Sequence, residues 1–293
     1  MIAAAPLRPA GLLGDTSARD YVNKLRLFNA FAEPELRRVI ASLELAPGMR
    51  VLDSGCGTGE ALTWLSGHVG PEGVVAGLDL AFAHAAVARV CAGPRMLVVQ
   101  ADLLQPPFAD TQFDLIWCAN AIHHLRDPLA GVHALTRLLR PGGRIVLGQS
   151  GLLPDLLFAW DSRLERLTHE AVHEYYRDRY RVTERDLAGI RSIAGLLRGA
   201  GLGGVGVKTL LIERLSPLGP ADERYLLDTI FRGTWGDRLR PYMTTEDFAQ
   251  LERLCNPEHS EFALRRPDFH FIQSFSIATG QAPAGALGPH AAD

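Results

Sequence analysis

Four short apolar runs, each ending in a polar residue, follow one another in the first half of the chain. They end at Asp53, Asp79, Asp102 and Asn120. Each run has the length of a buried strand, and the stretches between them, such as residues 81–90, are expected to be helices. Strands that alternate with helices predict a mostly parallel sheet, in which ligands bind outside the carboxyl ends of the strands. We therefore expect the four polar endings to share one binding site.

The same kind of pattern predicts the helices and strands in the rest of the chain. Residues 20–43 have apolar side chains at helical spacing, with a break expected near Pro34, and predict a helical cover. A predicted helix over 184–199 leads to a strand over 205–213, and a last strand is expected near 269–279. The predicted segments are a tail and helical cover (1–48), a cofactor-binding core (49–150), a cap insertion (151–185), a core helix and strand (186–215), a second cap insertion (216–267), the last core strand (268–280) and a flexible tail (281–293).

Three glycines at alternate positions, Gly55, Gly57 and Gly59, stand between the first predicted strand and the helix that follows. Glycine allows the backbone to approach a bound group closely, and a helix N-terminus presents unpaired N–H groups. The dinucleotide fingerprint would require a glycine at position 60, where the chain has Glu60. The turn therefore favours a nucleotide-like ligand other than NAD(P) or a flavin, although a tight turn without a ligand has the same pattern.

Five blocks of the sequence resemble the successive motifs of class I S-adenosylmethionine-dependent methyltransferases. They are residues 51–59, 77–80, 101–103, 113–115 and 139–145, and both their order and their spacing match. The resemblance covers residues from about 49 to 149. It implies an α/β, Rossmann-like fold with a seven-stranded, mostly parallel sheet, helices on both faces, an antiparallel last strand and helical cap insertions. It also implies S-adenosylmethionine as the cofactor.

The resemblance assigns roles to the polar strand ends. In this family the glycine turn holds the methionine part of the cofactor. Asp79 would bind the ribose hydroxyls and Asp102 the adenine amino group, with Leu80 and Leu103 on either side of the adenine ring. The alternatives are that Asp79 caps a helix and that Asp102 forms a turn. The complete set of cofactor-binding residues that we predict is Asp53, Gly55, Cys56, Gly57, Gly59, Asp79, Leu80, Ala101, Asp102, Leu103 and Asn120.

A histidine pair, His123 and His124, follows the fourth predicted strand by three residues. Either side chain could remove a proton from the acceptor, because an unperturbed histidine pKa of about 6.5 suits a base at neutral pH. The alternative is that the pair shapes the pocket without taking part in the chemistry. Methyl transfer is an in-line displacement, and alignment of the two reactants can supply most of the catalysis.

Two segments, 152–181 and 216–267, exceed what the fold requires and contain aromatic residues. Insertions beside a rigid scaffold often carry substrate contacts, so we expect them to form a lid. The predicted substrate contacts are Trp160, Tyr176, Tyr180, Trp235 and Tyr242. The alternative is that these aromatics form a small core within the insertions.

A zinc-peptidase pattern, H-E-x-x-H, is present at residues 169–173. Tyr176 and Arg179 occupy the positions of the glycine and the third histidine in the extended motif, so we reject a peptidase. No metal is expected in the active site. Whether His169 and His173 bind an accessory metal stays open.

Composition and charge narrow the choice of function. The chain has 293 residues, of which 47% are hydrophobic, and a net charge of −3. No basic excess is present to track a phosphate backbone, so a nucleic acid is not the expected partner. Four cysteines without paired spacing and the absence of a signal-peptide pattern predict a cytoplasmic protein without a membrane span.

These observations predict methyl transfer to the O, C or N atom of a small aromatic or hydrophobic metabolite, as in secondary metabolite biosynthesis. A quinone or lipid C-methyltransferase is the main alternative. A non-catalytic cofactor-binding protein and an NAD(P)-dependent oxidoreductase are the others. The sequence leaves open whether the chain forms a homodimer.

Overall fold

The fold is built on one mixed sheet, seen in a computed structural model that describes residues 21–151, 156–157, 161–181 and 192–285. The strands are β1 (Arg50–Ser54), β2 (Val74–Asp79), β3 (Met96–Gln100), β4 (Phe113–Ala119), β5 (Leu139–Ser150), β6 (Leu156–Leu157), β7 (Gly203–Leu215) and β8 (His270–Gln281). Strands β3, β2, β1, β4 and β5 are parallel neighbours in that order. Strand β8 is antiparallel to β5 and to β7. The predicted fold class is confirmed.

The helices lie before, between and after these strands. They are α1 (Val22–Ala41), α2 (Glu60–Val69), α3 (Phe82–Cys91), α4 (Pro128–Thr136), α5 (Ser162–Tyr180), α6 (Ile193–Gly199), α7 (Pro220–Tyr225) and α8 (Thr245–Cys255). A π-helix covers Leu226–Trp235, and short 3-10 helices cover Ile122–His124, Asp237–Tyr242 and Ala263–Arg265. Both predicted cap insertions therefore contain helices, and the exact segment boundaries stay a prediction. No helix in the described ranges is both long enough and apolar enough to cross a membrane.

Alternating side chains of the strands pack into two hydrophobic cores, one on each face of the sheet. Val51 and Val146 belong to one core, whereas their neighbours Leu52 and Leu147 belong to the other. The first core includes side chains of α1, α2 and the second insertion, and the second core includes those of α4 and α6. Because both faces are covered, the central strands β2 and β4 are buried at most positions and consist largely of apolar residues.

Two details differ from the sequence-based expectations. Strand β6, only two residues long, lies in the first predicted insertion and pairs with β8. Helix α1 continues through Pro34 instead of breaking there. A proline removes one backbone hydrogen bond, but α1 buries Phe31, Leu36 and Val39 against the core, and this packing holds the helix together.

The first residues of the helix predicted over 184–199 lie outside the described part of the chain, which resumes at Ser192.

Candidate cofactor site

A cleft opens at the carboxyl ends of the parallel strands. Most of the predicted cofactor residues, together with one histidine of the pair, line it: Asp53, Gly55, Cys56, Gly57, Asp79, Leu80, Asp102, Leu103, Asn120 and His124. Gly59, Ala101 and His123 are near in sequence but are not among the lining residues. The topology thus brings all four predicted polar strand endings to one place, as the parallel order requires.

The glycine turn adopts a backbone conformation that favours glycine. Gly55, Gly57 and Gly59 have φ of +80°, +53° and +91°. A Cβ atom on Gly55 would lie 2.3 Å from Cβ of Ala121, and one on Gly57 would lie 3.2 Å from Cδ1 of Leu25. The N–H groups of Gly55 and Cys56 donate to the carbonyl of Leu78 at 2.7 and 2.9 Å, which ties the turn to β2. The turn is therefore a rigid cradle in which side chains would occupy space.

Asp79, at the end of β2, is held at both carboxylate oxygens. Its Oδ2 accepts the N–H of Gly57 at 2.9 Å, and its Oδ1 accepts the N–H of Ala81 at 2.9 Å. The ring of His84 is 3.3 Å from Oδ1. Each carboxylate oxygen has two acceptor positions, so the group can order the turn and still bind a ligand hydroxyl. The capping alternative and the ligand role are thus compatible.

Asp53 is the most deeply buried acid of the cleft, with 2% of its surface exposed. Its Oδ2 atom accepts no hydrogen bond from the described residues. Burial, and then the negative charges of Asp79 and Glu60, raise the pKa of this carboxyl well above its usual range. A buried acid without a partner is costly, and a bound cation would relieve that cost.

Asp102 lies between β3 and β4 and lines the cleft. Its Oδ1 accepts the N–H of Leu104 at 2.9 Å, so the predicted alternative of a turn-forming aspartate is also observed. Leu80 and Leu103 also line the cleft and provide apolar surfaces.

Asn120 follows β4 with φ of +50°. Its Oδ1 accepts the N–H of Ser150 at 2.8 Å, and because a backbone N–H can only donate, the acceptor atom must be the oxygen. The Oγ of Ser150 lies 3.1 Å from the same oxygen. The Nδ2 group is therefore the part of Asn120 that can serve as a donor in the cleft.

The structure places only one histidine of the predicted pair in the wall of the cleft. The ring centroids of His123 and His124 are 4.0 Å apart, but only His124 lines the cleft. Both lie on the 3-10 helix that connects β4 to α4, and the side chain of Asp127 caps the start of α4 by accepting the N–H of Ala130 at 2.9 Å. Of the two, His124 is the one placed to meet a bound substrate.

The aromatic residues predicted as substrate contacts do not line the cleft. Trp235 is 1% exposed and stacks on Phe231 at 5.2 Å, and Tyr176 is 8% exposed and packs on Tyr180 at 5.3 Å. The hydroxyl of Tyr242 donates to Asp178 at 3.1 Å. Trp160 lies outside the described residues. Tyr176 and Trp235 are thus buried within the insertions, as the alternative of an internal core expects, whereas Tyr180 and Tyr242 are half-buried. Substrate contact by any of the four stays a prediction.

Helix α1 supplies site residues that the sequence did not identify. Leu25, Phe28, Asn29 and Leu36 line the cleft, as do Trp64, Trp117 and Phe275 from the core. Nδ2 of Asn29 donates to Glu60 Oε2 at 2.7 Å, and Oγ1 of Thr58 donates to the same oxygen at 2.6 Å. The predicted helical cover is therefore fastened to the first turn of α2, directly after the glycine turn.

The remaining reactive groups are two buried cysteines and the two histidines of the H-E-x-x-H pattern. Burial raises the pKa of the Cys118 thiol to about 12 and also raises that of Cys56. Both thiols therefore stay protonated at neutral pH. His169 and His173 lie on α5, and in the ranges that the structure describes no three His, Cys, Asp or Glu side chains form a metal-binding group.

Comparison with known proteins identifies the class. The methyltransferase domain family matches residues 52–147, which contain the glycine turn and all the strand ends described above. This matched domain and the fold support the predicted class I S-adenosylmethionine-dependent methyltransferase, and S-adenosylmethionine is the cofactor that they support.

Two curated relatives carry the same domain. The chain is 30% identical over 122 residues to a 27-O-demethylrifamycin SV methyltransferase from Amycolatopsis mediterranei (strain S699), a match that covers 40% of this chain and 44% of that protein. It is 30% identical over 112 residues to a demethylmenaquinone methyltransferase from Staphylococcus aureus (strain JH9), which covers 38% and 46%. The chain thus spans less than half the length of these relatives.

Two solved structures share the fold at low identity. The YcgJ protein from Bacillus subtilis has a TM-score of 0.53 at 19% identity, with 86% of this chain and 100% of that chain covered. The [4+2]-cyclase SpnF has a TM-score of 0.52 at 17% identity, with 95% and 100% covered. Because SpnF is a cyclase, this fold does not by itself define the reaction.

The residues of the cleft fit the cofactor of the family. The cradle at Gly57 leaves free a space that a side chain would fill, and the buried Oδ2 of Asp53 lacks a donor within the described residues. S-adenosylmethionine carries a cationic sulfonium, which suits an acidic cleft. Asp79 would bind the ribose and Asp102 the adenine edge, and both assignments stay predictions.

Removal of the Asp79 carboxylate should weaken cofactor binding. We expect Asp79→Ala to reduce S-adenosylhomocysteine affinity by about 1 to 3 kcal/mol, or about five- to 150-fold, because hydrogen bonds to a charged group are lost. Titration calorimetry measures the change. Asp110→Ala, which removes an exposed acid paired with Arg137, is the control and should bind normally. Normal binding by a folded Asp79→Ala protein would contradict the assignment.

Cofactor binding should release a proton from Asp53. A bound cation favours the carboxylate, so it lowers the raised pKa of Asp53, and affinity should increase as pH rises through that pKa. The dependence should be steeper for S-adenosylmethionine than for S-adenosylhomocysteine, which lacks the sulfonium charge. Calorimetry in buffers of different ionisation enthalpy measures the released proton. Asp53→Asn should abolish the difference between the two ligands, and its persistence would assign the proton to another group.

Proposed function

We propose that this chain transfers a methyl group from S-adenosylmethionine to a small aromatic or hydrophobic acceptor. One observation carries the proposal: a single cleft combines acidic groups and a glycine cradle with apolar walls. The walls include Phe28 of α1 and Trp64, Trp117 and Phe275 of the core.

The residues around the cleft would act by binding and alignment. The cofactor supplies a methyl group on a cationic sulfonium. Asp53 and Asp79 provide negative charge and hydrogen-bond acceptors, while Leu25 and Phe28 of α1 add apolar surface. Binding of both reactants in one cleft would hold the acceptor in line with the bond that breaks, and this alignment supports an in-line displacement.

We assign the proton-accepting role to His124. It lines the cleft together with Asn120 and Ala121, and its neighbour His123 does not. The other titratable side chains of the cleft wall are Asp53, Cys56, Asp79, Asp102 and His84, which belong to the cofactor site as proposed here. A neutral imidazole can take the proton of a phenol or hydroxyl as the methyl group arrives.

A quinone or lipid C-methyltransferase is the second candidate. It is supported by the 30% identity to a demethylmenaquinone methyltransferase, whereas the identity to the rifamycin-modifying enzyme supports O-methylation in secondary metabolism. We place the acceptor among phenols and hydroquinones with apolar substituents, since the apolar wall of the cleft suits them. The cytoplasmic location stays a prediction from the cysteine pattern.

Two measurements test the function. Calorimetry should show binding of S-adenosylhomocysteine and none of NADPH, which separates a methyltransferase from an oxidoreductase. The protein is then incubated with S-adenosylmethionine and panels of phenols, hydroquinones, amines and polar nucleosides, and products are detected by a mass increase of one methyl group. Turnover of phenols or hydroquinones supports the proposal. Cofactor binding with no product in any panel would favour a non-catalytic binding protein.

A further inference from the structure

His84 connects the ribose-binding acid to the start of α1. It lies in the first turn of α3, five residues after Asp79, and its Nδ1 is 3.3 Å from Asp79 Oδ1. On the other side of the ring, the backbone N–H of Tyr21 donates to Nε2 at 3.1 Å. The side chains of His84 and Asp79 are 5% and 12% exposed, so their contact is shielded from water.

The hydrogen bonds define the protonation of this ring. A backbone N–H can only donate, so Nε2 must be the unprotonated acceptor. The neutral imidazole then carries its proton on Nδ1 and donates it to Asp79. His84 therefore acts on two different partners with its two nitrogens, one in the cofactor site and one at the residue that precedes α1.

The position of Asp79 depends on these contacts. Gly57 donates to Oδ2, and Ala81 and His84 converge on Oδ1, so the plane of the carboxylate is fixed from both sides. Ala81 and His84 belong to the start of α3, while Gly57 belongs to the glycine turn. Loss of the imidazole would leave one oxygen with a single donor, and the carboxylate could rotate away from a ligand.

We propose that His84 is a positioning residue that orients Asp79 toward the ribose and couples the docking of α1 to cofactor binding. The proposal rests on the cofactor assignment made above. The link to α1 is reinforced farther along the helix, where Asn29 donates to Glu60 next to the glycine turn. A cofactor that tightens Asp79 and the turn would thereby strengthen both attachments of the helix that covers it.

Three substitutions at position 84 separate the two contacts. Counted along the side chain, the amide of asparagine lies where Nδ1 lies in histidine, and the amide of glutamine lies where Nε2 lies. His84→Asn can therefore keep the contact with Asp79, His84→Gln can keep the contact with Tyr21, and His84→Leu keeps neither. His133→Gln, on the exposed side of α4, is the matched control.

Two measurements report separately on the contact of His84 with Asp79 and on its contact with Tyr21. Calorimetry with S-adenosylhomocysteine should show affinity reduced about five- to tenfold in His84→Leu and His84→Gln, and within about twofold of the unmodified protein in His84→Asn. Hydrogen exchange of the Tyr21 amide, followed by NMR in the cofactor-free protein, should accelerate in His84→Leu and His84→Asn but not in His84→Gln. Thermal unfolding identifies any variant that fails to fold.

A double-mutant cycle distinguishes positioning from simple packing. If His84 acts through Asp79, then His84→Leu should have little further effect on affinity in an Asp79→Ala protein. An equal loss in both backgrounds, or unchanged affinity in His84→Leu, would overturn this inference while the proposed function stands. Failure of the unmodified protein to bind S-adenosylhomocysteine would overturn the proposed function and this inference together.

Discussion

A Gly57→Val protein should fold and yet lose S-adenosylhomocysteine affinity by more than about 100-fold. Gly57 has φ of +53°, a region that a β-branched residue adopts only at a cost of about 1 to 2 kcal/mol. The added Cβ would lie 3.2 Å from Leu25 Cδ1, and the two methyl groups beyond it would enter the cleft. The substitution therefore strains the turn and fills the space reserved for the ligand.

Backbone strain and loss of ligand space can be separated with a second glycine. Gly48 also has a positive φ, of +84°, but a Cβ there would meet no atom within 4 Å, and the residue does not line the cleft. Gly48→Val should lose stability in thermal unfolding and keep normal affinity. If both variants bind S-adenosylhomocysteine equally well, the glycine turn is not the cradle of the cofactor.

The core of the site could be predicted because its signals are local in sequence. Asp53, Gly55 and Gly57 form one contiguous motif, and a parallel sheet places the ends of its strands along one edge whatever the side chains are. The order of the apolar runs was sufficient to place Asp79 and Asp102 in the same cleft. The spacing of apolar residues and of glycines reflects backbone geometry, and the strands and turns of this fold have regular backbone geometry. The sequence pattern therefore predicts them.

The contacts that complete the site could not be predicted, because they join positions far apart in the chain. Asn29 meets Glu60 across 31 positions, and Tyr21 meets His84 across 63. Nothing in the pattern of α1 distinguishes a helix that packs on the sheet from one that covers a ligand. Its apolar side chains have helical spacing in either case.

The aromatic residues of the insertions show the same limitation. Tyr176 and Trp235 have the composition of a substrate pocket, but they are 8% and 1% exposed and pack within the insertions. Large aromatic side chains contribute equally to a small core and to a binding wall. Only the direction of each side chain separates the two, and that direction depends on how the helices pack together.

With an acceptor found in the product screen, His124→Gln should lower kcat by about 10²- to 10⁴-fold, the usual contribution of a general base. Affinity for S-adenosylhomocysteine should be unchanged, because His124 is assigned to the acceptor and not to the cofactor. The kcat of the unmodified protein should fall on acidification, since only the neutral imidazole can accept a proton. Steady-state kinetics across pH measures both effects.

His123→Gln is the matched control, since the two rings lie 4.0 Å apart but only His124 lines the cleft. It should change kcat by less than about tenfold, which separates a base from a general disturbance of the 3-10 helix. If His124→Gln also loses less than about tenfold and the pH profile stays flat, the chain contributes alignment alone. The acceptor would then have to react in an already deprotonated form or as a nucleophile that carries no acidic proton. Phenols whose ring substituents lower the hydroxyl pKa distinguish these cases, because a variant without a base should favour the most acidic phenols.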